Sequence, residues 1–291
     1  MKMNAITFLR KSKKVNRSRF GTAFLFIVLL VFASFTAMPL VLMVGNSLKP
    51  LNELWIFPPR LFPRSPTFKN YLDMFRIMNE SWVPFLRYLW NTVFITAAGT
   101  FGHIIFASMC AFPLAKRNFP GKNLIFNTIV LALMFNATVT AVPNYITMSV
   151  LHWIDTPLSL IIPSFSAALG LYLMKQFMEQ LPDSLLEAAR IDGASQWRTF
   201  WDIVMPNVKP AWLTLMLLSV QGLWNIGATS YIFSEELKTL SYALSQIMAG
   251  GIARAGVGAA VAVFMMLVPV GIFIFSQSNI IRTMASSGMK E

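Results

Sequence analysis

PDSLLEAARIDGASQWRTFWDIVMP, residues 182–206, decides how the rest of the chain is read. It is the one long amphipathic, charge-bearing stretch set between apolar blocks in the second half of the sequence. Asp183, Glu187, Asp192 and Asp202 lie inside it and Glu179 just ahead of it, five of the chain's twelve acidic residues. Pro182 ends the preceding apolar run, and Ser184-Leu-Leu-Glu187 has the S-x-x-E form of a capping box. Ala188, Ala189 and Arg190 favour a helix, and Asp192-Gly193 is a turn pair whose glycine can take the positive φ that closes one. Ser195 can cap a second helix through Trp197, Phe200 and Trp201 toward Ile203, with Pro206 separating it from the next apolar block. Leu185, Leu186, Ala189 and Ile191 give the first helix an apolar surface too small to form a core. Such a patch is buried against membrane helices or against another protein, and spacing alone leaves both an interfacial loop and a docking surface open.

The surroundings of this stretch are those of a membrane protein. Of 291 residues, 56% are hydrophobic and 12% charged, against about 25% charged in soluble domains. The net charge of +12 would suit nucleic acid in a soluble chain; here it is accounted for by basic loops facing anionic lipid, and no nucleic-acid partner is expected. The single Cys110 excludes an intrachain disulfide, and with two distant histidines it excludes a Cys/His metal set. Gly121-Lys122 is followed by Asn123 and lacks the upstream glycine of a phosphate loop, so no cofactor is expected in this chain.

Residues 1–19 carry seven basic and no acidic residues, and Phe20 to about Gly45 follows as an apolar run of bilayer length. A cleaved signal peptide shares that pattern, but its apolar core runs only roughly 7–15 residues and ends at a small-x-small site, which is missing here. Further spans are predicted near 88–112, 123–145, 157–178, 208–232 and 257–277, six in all, with Gly99 and Gly102 interrupting the second and Pro269 inside the sixth. With the N-terminus inside, the inner segments hold sixteen basic residues and the outer loops eight, six of them in the long first loop. The positive-inside rule therefore puts both termini and residues 182–206 in the cytoplasm. The partition is a basic cytoplasmic N-terminus (1–19), an all-α six-span domain (20–278) with a cytoplasmic loop at 180–206, and a cytoplasmic tail (279–291).

Glu187-Ala188-Ala189, three residues, Gly193, nine residues, Ile203, one residue and Met205-Pro206 resemble the EAA loop of binding-protein-dependent ABC importer permeases of the type I fold. Met205 stands where that family usually has Leu, a volume-conserving change. Pro143-Asn-Tyr145, Asp155-Thr156, Ile191-Asp-Gly-Ala194 and Trp224-Asn225 are similar to the carbohydrate-uptake subgroup, of the kind of the smaller maltose-type permease. The resemblance implies an inner-membrane permease working with a second permease, an ABC ATPase dimer and an extracytoplasmic solute-binding protein. ATP and Mg would be bound, and ATP hydrolysed, in the ATPase. Carried over residue by residue, Glu187 would contact the ATPase, Ala188 and Ala189 would allow close approach, and Gly193 would make the turn, with Ile203 and Pro206 completing the coupling motif. The solute implied is a sugar, of oligosaccharide size. The tail TMASSGMKE looks more like permeases for uronate or plant-wall oligosaccharides than like the common carbohydrate ending.

Other positions carry two readings each. Trp224 and Asn225 suit either the sugar pathway, where an indole can stack on a sugar ring, or helix–helix hydrogen bonding; the acid usual after this pair is Ile226 here. Asn136 is a further pathway candidate. His103, deep in the second span, suits a proton relay or a neutral bond to a neighbouring helix, and no intramembrane acid accompanies it. The loop 233–255, with Glu235, Glu236, Gly250 and Gly251, is either a contact for the solute-binding protein or a solvated connector. The rivals are an ABC permease for a non-sugar solute, a secondary transporter, which would need intramembrane charge or paired inverted repeats, and a scaffold without transport.

Overall fold

The computed structural model describes residues 19–80, 82–135, 137–227 and 229–287. They form α1 (Arg19–Ser47), α2 (Leu51–Leu54), α3 (Lys69–Asn79), α4 (Phe85–Lys116), α5 (Lys122–Ala132), α6 (Ala137–Val150), α7 (Leu158–Phe165) and α8 (Ala168–Glu179). There follow α9 (Asp183–Ile191), α10 (Gln196–Arg198), a π-helical stretch (Thr199–Val204), α11 (Met205–Asn207), α12 (Lys209–Trp224), α13 (Leu240–Met248) and α14 (Ala255–Ser287), with 3-10 turns at Glu235–Leu237 and Ile252–Arg254. No strand occurs among the described residues. All-helical construction is what hydrocarbon demands, since each backbone N–H and C=O must be paired within its own segment.

Four stretches are long and apolar enough to cross a bilayer by themselves: Phe20–Ser47, Phe85–Lys116, Leu158–Glu179 and Ile252–Gln277. A fifth, α12, is joined to Gln196–Asn207 at a bend of 78°. The expected span 123–145 is instead two short helices, α5 and α6. At its end α5 tightens into i→i−3 bonds, Leu133 to Val130, Met134 to Leu131 and Phe135 to Ala132, which stops the helix at Ala132. The expected span 208–232 ends at Trp224. The expected break at Gly99 and Gly102 is not a break: α4 runs unbroken for 32 residues, about 48 Å. These glycines make room for neighbours. A Cβ at Gly102 would lie 2.0 Å from the Phe165 ring, and one at Gly99 2.6 Å from Leu223 Cδ1. Small residues let membrane helices approach closely, so the pair is a packing seam.

The axis of the fold is α4, which packs against α7, α8, α12 and α13. At the α9 end, Ala107 and Ala111 of α4 meet Met174 and Met178 of α8 and Val208 and Leu215 around the start of α12. In the middle, Ile95 packs with Leu160, Ile161, Leu223 and Ile232. At the α13 end, Tyr88 packs with Met74 and Met78 of α3, Leu240 and Leu244 of α13, and Val261 of α14. By contrast, α1 packs chiefly along α14 and leaves its apolar side chains outside the core, as a helix solvated by lipid or a second membrane chain does.

His103 joins three elements. Its Nδ1 lies 2.8 Å from Ser219 Oγ of α12, and its Nε2 lies 3.3 Å from the Ala167 carbonyl between α7 and α8. A carbonyl only accepts, so Nε2–H donates to it, and the Ser219 hydroxyl can partner Nδ1, as its acceptor or, in a neutral imidazole, as its donor. Of its two readings the structure shows the helix–helix bond. Gly170 admits the ring, since a Cβ there would come 2.1 Å from Nε2. Gly102→Leu is expected to destabilise the fold by ~1–3 kcal/mol through overpacking against Phe165. Gly222→Ala, where nothing lies within 4 Å, is expected to leave the melting temperature unchanged or higher. Thermal unfolding in detergent measures both.

Candidate functional site

Between α8 and α12 the chain leaves the bundle as two short helices. The predicted capping box does not form, because α9 starts two residues earlier than the motif requires: Pro182, not Ser184, is its N-cap and no side chain closes the first turn. Lys116, at the end of α4, does the anchoring instead. Its ammonium donates to the carbonyls of Leu181 and Glu179 and lies 2.8 Å from Asp183 Oδ1. That hydrogen bond and charge hold the Asp183 carboxyl below its ordinary value of 3.8. Behind it, Lys175 is buried, pairs with Glu179 at 2.7 Å and sits 3.7 Å over the Phe126 ring.

The predicted turn is present in full. Gly193 has φ +76, its N–H bonds the Arg190 carbonyl, and the Ala194 N–H bonds back to Ala189, the Schellman pattern. Ser195 Oγ then accepts from the Arg198 N–H at 3.2 Å, capping the second helix as expected. Pro206 does not end that helix. It lies within it, and the bend falls at Val208. A proline has no N–H to give Asp202 and its ring crowds that carbonyl, so the preceding turn widens to the π form, with Met205 N–H bonding Phe200. Two side chains take up the carbonyls at the bend, Asn207 Nδ2 on Ile203 at 2.7 Å and Trp212 Nε1 on Met205 at 3.2 Å.

The segment is thereby two-faced. Leu186, Ala189, Phe200 and Val204 are buried, with Leu186, Phe200 and Val204 packed against α4 and α8. Glu187, Ala188, Gly193 and Pro206 are exposed and Ile203 half-buried. Only Ala188 of the alanine pair faces outward, since Ala189 is 5% exposed and belongs to the chain's own core. The segment that carries Glu187 also exposes apolar side chains that the motif does not mention: Ile191 is 86% exposed and Trp197 60%, and Leu185 and Trp201 are exposed as well. Trp197 and Trp201 pack edge to face at 6.2 Å.

The remaining candidates lie elsewhere. Trp224 is buried and its Nε1 donates to the Met265 carbonyl of α14 at 3.0 Å, the helix–helix bond of its two readings. Asn225 is exposed, and its Nδ2 donates to the Gln221 carbonyl at 2.8 Å. Asn136 lies outside the described residues. Glu235 is half-buried, accepting from Tyr88 at 3.1 Å and pairing with Lys238, whereas Glu236, Gly250 and Gly251 are exposed. Residues 233–255 are more than a connector, because α13 is seated through Leu240, whose N–H donates to Thr92 Oγ1, and Asn91 Nδ2 donates to the carbonyls of Glu236 and Lys238. Asp155, noticed in the sequence only as part of a dipeptide, is the clasp between the α6–α7 loop and this region. It sits at φ +59, and its carboxylate accepts from Phe233 N–H, Ser234 N–H and the Ser234 hydroxyl, which hold its pKa below the ordinary value. The signal that could have found it is an Asp in a loop, a residue type that tolerates the left-handed backbone better than most.

Residues 103–285 match the family described as "Binding-protein-dependent transport system inner membrane component". The chain belongs to that family of transport permeases. Among curated relatives, Protein LplC of Bacillus subtilis is 32% identical over 214 residues, covering 73% of this chain and 70% of the relative. The arabinooligosaccharides transport system permease protein AraQ of Bacillus subtilis is 27% identical over 286 residues, 97% of this chain and 99% of the relative. Among solved structures, a chain of a bacterial ABC transporter involved in the import of the acidic polysaccharide alginate superimposes with a TM-score of 0.73 at 24% identity, over 90% of this chain and 98% of that one. That match shows a shared fold.

Two measurements address this segment. Gly193→Ala is expected to cost about 1 kcal/mol from the left-handed backbone alone, since nothing lies within 4 Å of the new Cβ, and Gly193→Asn less; chemical or thermal unfolding reads the difference. Asp183 has a folded pKa below its unfolded one, so its contribution is present above pH ~4 and is lost as pH falls below that. Asp183→Asn is expected to remove that part of the acid limb from a stability-against-pH series.

Proposed function

We propose that this chain is the smaller permease of an ATP-driven importer that takes a sugar, of oligosaccharide size, from an extracytoplasmic solute-binding protein. The exposed acidic and apolar face at Glu187, Ala188, Ile191 and Trp197, anchored by Lys116 on a chain of this family, carries the reading. A fold that had no partner there would expose two tryptophans and an isoleucine to water without return. The segment 180–206 then lies in the cytoplasm and docks in a groove of the ATPase dimer, with Glu187 as the polar contact, Gly193 setting the angle between the helices, and Ile203 and Pro206 fixing the second helix. ATP and Mg act in that partner, and this chain performs no catalysis. Both termini, 1–19 and 279–291, are cytoplasmic in this reading, and residues 20–278 form the six-span domain with α5 and α6 together making one crossing.

The sugar class is supported by relatives named for arabinooligosaccharides and, in a system of Streptomyces coelicolor, for diacetylchitobiose, and by the fold shared with the alginate importer. A second permease completes the pathway, which Asn225 borders. Glu236, Gly250 and Gly251 meet the binding protein, whereas Glu235 orders their loop. One observation favours a second reading, a phosphorylated solute: UgpE of Yersinia enterocolitica, named for sn-glycerol-3-phosphate transport, is 34% identical over 60% of this chain.

Mechanically, the rigid turn at Gly193 and the packing of Leu186 and Phe200 on α4 and α8 mean that a push on α9 is delivered to the bundle, not absorbed in the loop. In the assembled transporter, Glu187→Lys is expected to lower both sugar uptake and sugar-stimulated ATP hydrolysis about tenfold or more, by placing like charge in the docking groove. Gly193→Pro is expected to do the same by breaking the turn. Uptake and hydrolysis that persist unchanged would reject the docking role. Competition of uptake by arabino-oligosaccharides against sn-glycerol-3-phosphate separates the two solute readings.

A further inference from the structure

The last helix contains a proline whose consequence is repaired by a different helix. In an α-helix the N–H of residue i bonds the carbonyl of i−4, so Pro269 leaves the Met265 carbonyl without its partner in the middle of an apolar span. Water cannot supply one there. The donor is the Trp224 indole, at 3.0 Å, from a side chain that is 3% exposed. Prolines also lie inside α1, α4, α6 and α7, at positions 39, 113, 143 and 163. Among the described residues, only at Pro269 does a side chain of another helix reach the carbonyl thus freed.

The two halves of α14 differ on either side of this bond. Before it, Val257, Ala260, Val261 and Val263 are buried against the rest of the fold. After it, Leu267, Val270, Phe273, Ile274 and Phe275 are exposed while Ser276 is buried, and nothing lies within 4 Å of the place a Gly271 Cβ would take. Trp224 is the last residue of α12, whose first residue follows the 78° bend from the docking segment.

We propose that Pro269 is a hinge in α14 and Trp224 its positioning residue. The indole bond clamps residues 255–265 to α12, so that this half follows the docking segment as one body while residues 270–277, whose apolar side chains lie mostly outside the core, turn relative to it. The proposal rests on the reading that residues 182–206 receive motion from an ATPase. A hinge needs a fixed side and a loose side, and the bond to Met265, one helical turn before the proline, supplies the fixed side without stiffening the loose one. Pro269→Ala would restore the missing N–H and make the tryptophan's bond redundant.

Hydrogen–deuterium exchange on the whole transporter, nucleotide-free and trapped with ATP and vanadate, tests this. In the unaltered protein residues 257–265 are expected to stay protected in both states, with 270–277 changing between them. Trp224→Phe, which keeps an aromatic ring and loses the N–H, is expected to raise exchange at 257–265 by about tenfold and to make it nucleotide-dependent. Trp224→Phe combined with Pro269→Ala is expected to restore protection at 257–265 and to abolish the change at 270–277, a rescue that mere loss of packing would not allow. If 182–207 respond to trapping while Trp224→Phe leaves 257–265 unaffected, or affects them equally with Ala at 269, the hinge is wrong and the docking role stands. If trapping leaves 182–207 unaffected as well, the docking reading falls and the hinge falls with it.

Discussion

A peptide carbonyl in hydrocarbon has no water to bond, and the structure is arranged around that constraint. Long helices satisfy it internally. Where a helix bends, stops or contains a proline, a group loses its own partner, and at three places a side chain supplies one. At the Val208 bend, where Val204 and Met205 are buried within the protein itself, Trp212 meets the Met205 carbonyl and Asn207 that of Ile203. Between α7 and α8, the Ala167 carbonyl accepts from His103. Above Pro269, Trp224 meets Met265. Each of these irregularities is therefore also a tie, because the donor comes from another turn or another helix. An unsatisfied amide in an apolar interior costs several kcal/mol, more than these single contacts would be worth in water.

The same economy explains how a surface segment is held firmly on a membrane bundle. Lys116 has a side chain that is 6% exposed and ends α4, so its ammonium gains its partners from the α8–α9 junction and not from solvent. The first helix of the segment buries Leu186 and Ala189 and leaves Glu187 and Ala188 out. A docking element needs this division: an inner face that moves with the protein and an outer face a partner can grip. At the far end of α4 the arrangement is polar in a different way. Asn91, Thr92 and Tyr88 hold the chain from 235 to 240 through its carbonyls, an N–H and a carboxylate, and Asp155 clasps the loop ahead of it. One helix thus connects the face expected to meet the ATPase with the face expected to meet the binding protein.

Much of this architecture is legible in the order of the residues. The fold class follows from apolar runs of bilayer length, and the turn at Gly193 and the cap at Ser195 from residue types at fixed offsets. The failures are equally local in origin. Ser184-x-x-Glu187 has the capping form, but with Pro182 as N-cap the helix starts two residues too early for it. Pro206 looks like a terminator, but a π turn lets the helix pass through it. Gly99 and Gly102 look like breaks in α4, but their value lies in Phe165 and Leu223, which no count along α4 can see.

The sequence by itself determined which segments are apolar, where the segment at 182–206 turns, and that a proline lies inside the last span. These depend on neighbours within a turn or two of helix. Only the tertiary structure decided who the partners are: that Ala189 faces inward while Ala188 faces out, that His103 braces α12 against the junction of α7 and α8, and that Trp224 belongs to Met265, 41 residues away. Those choices depend on how helices far apart in sequence come to lie side by side, and periodicity within one helix carries no record of its neighbour.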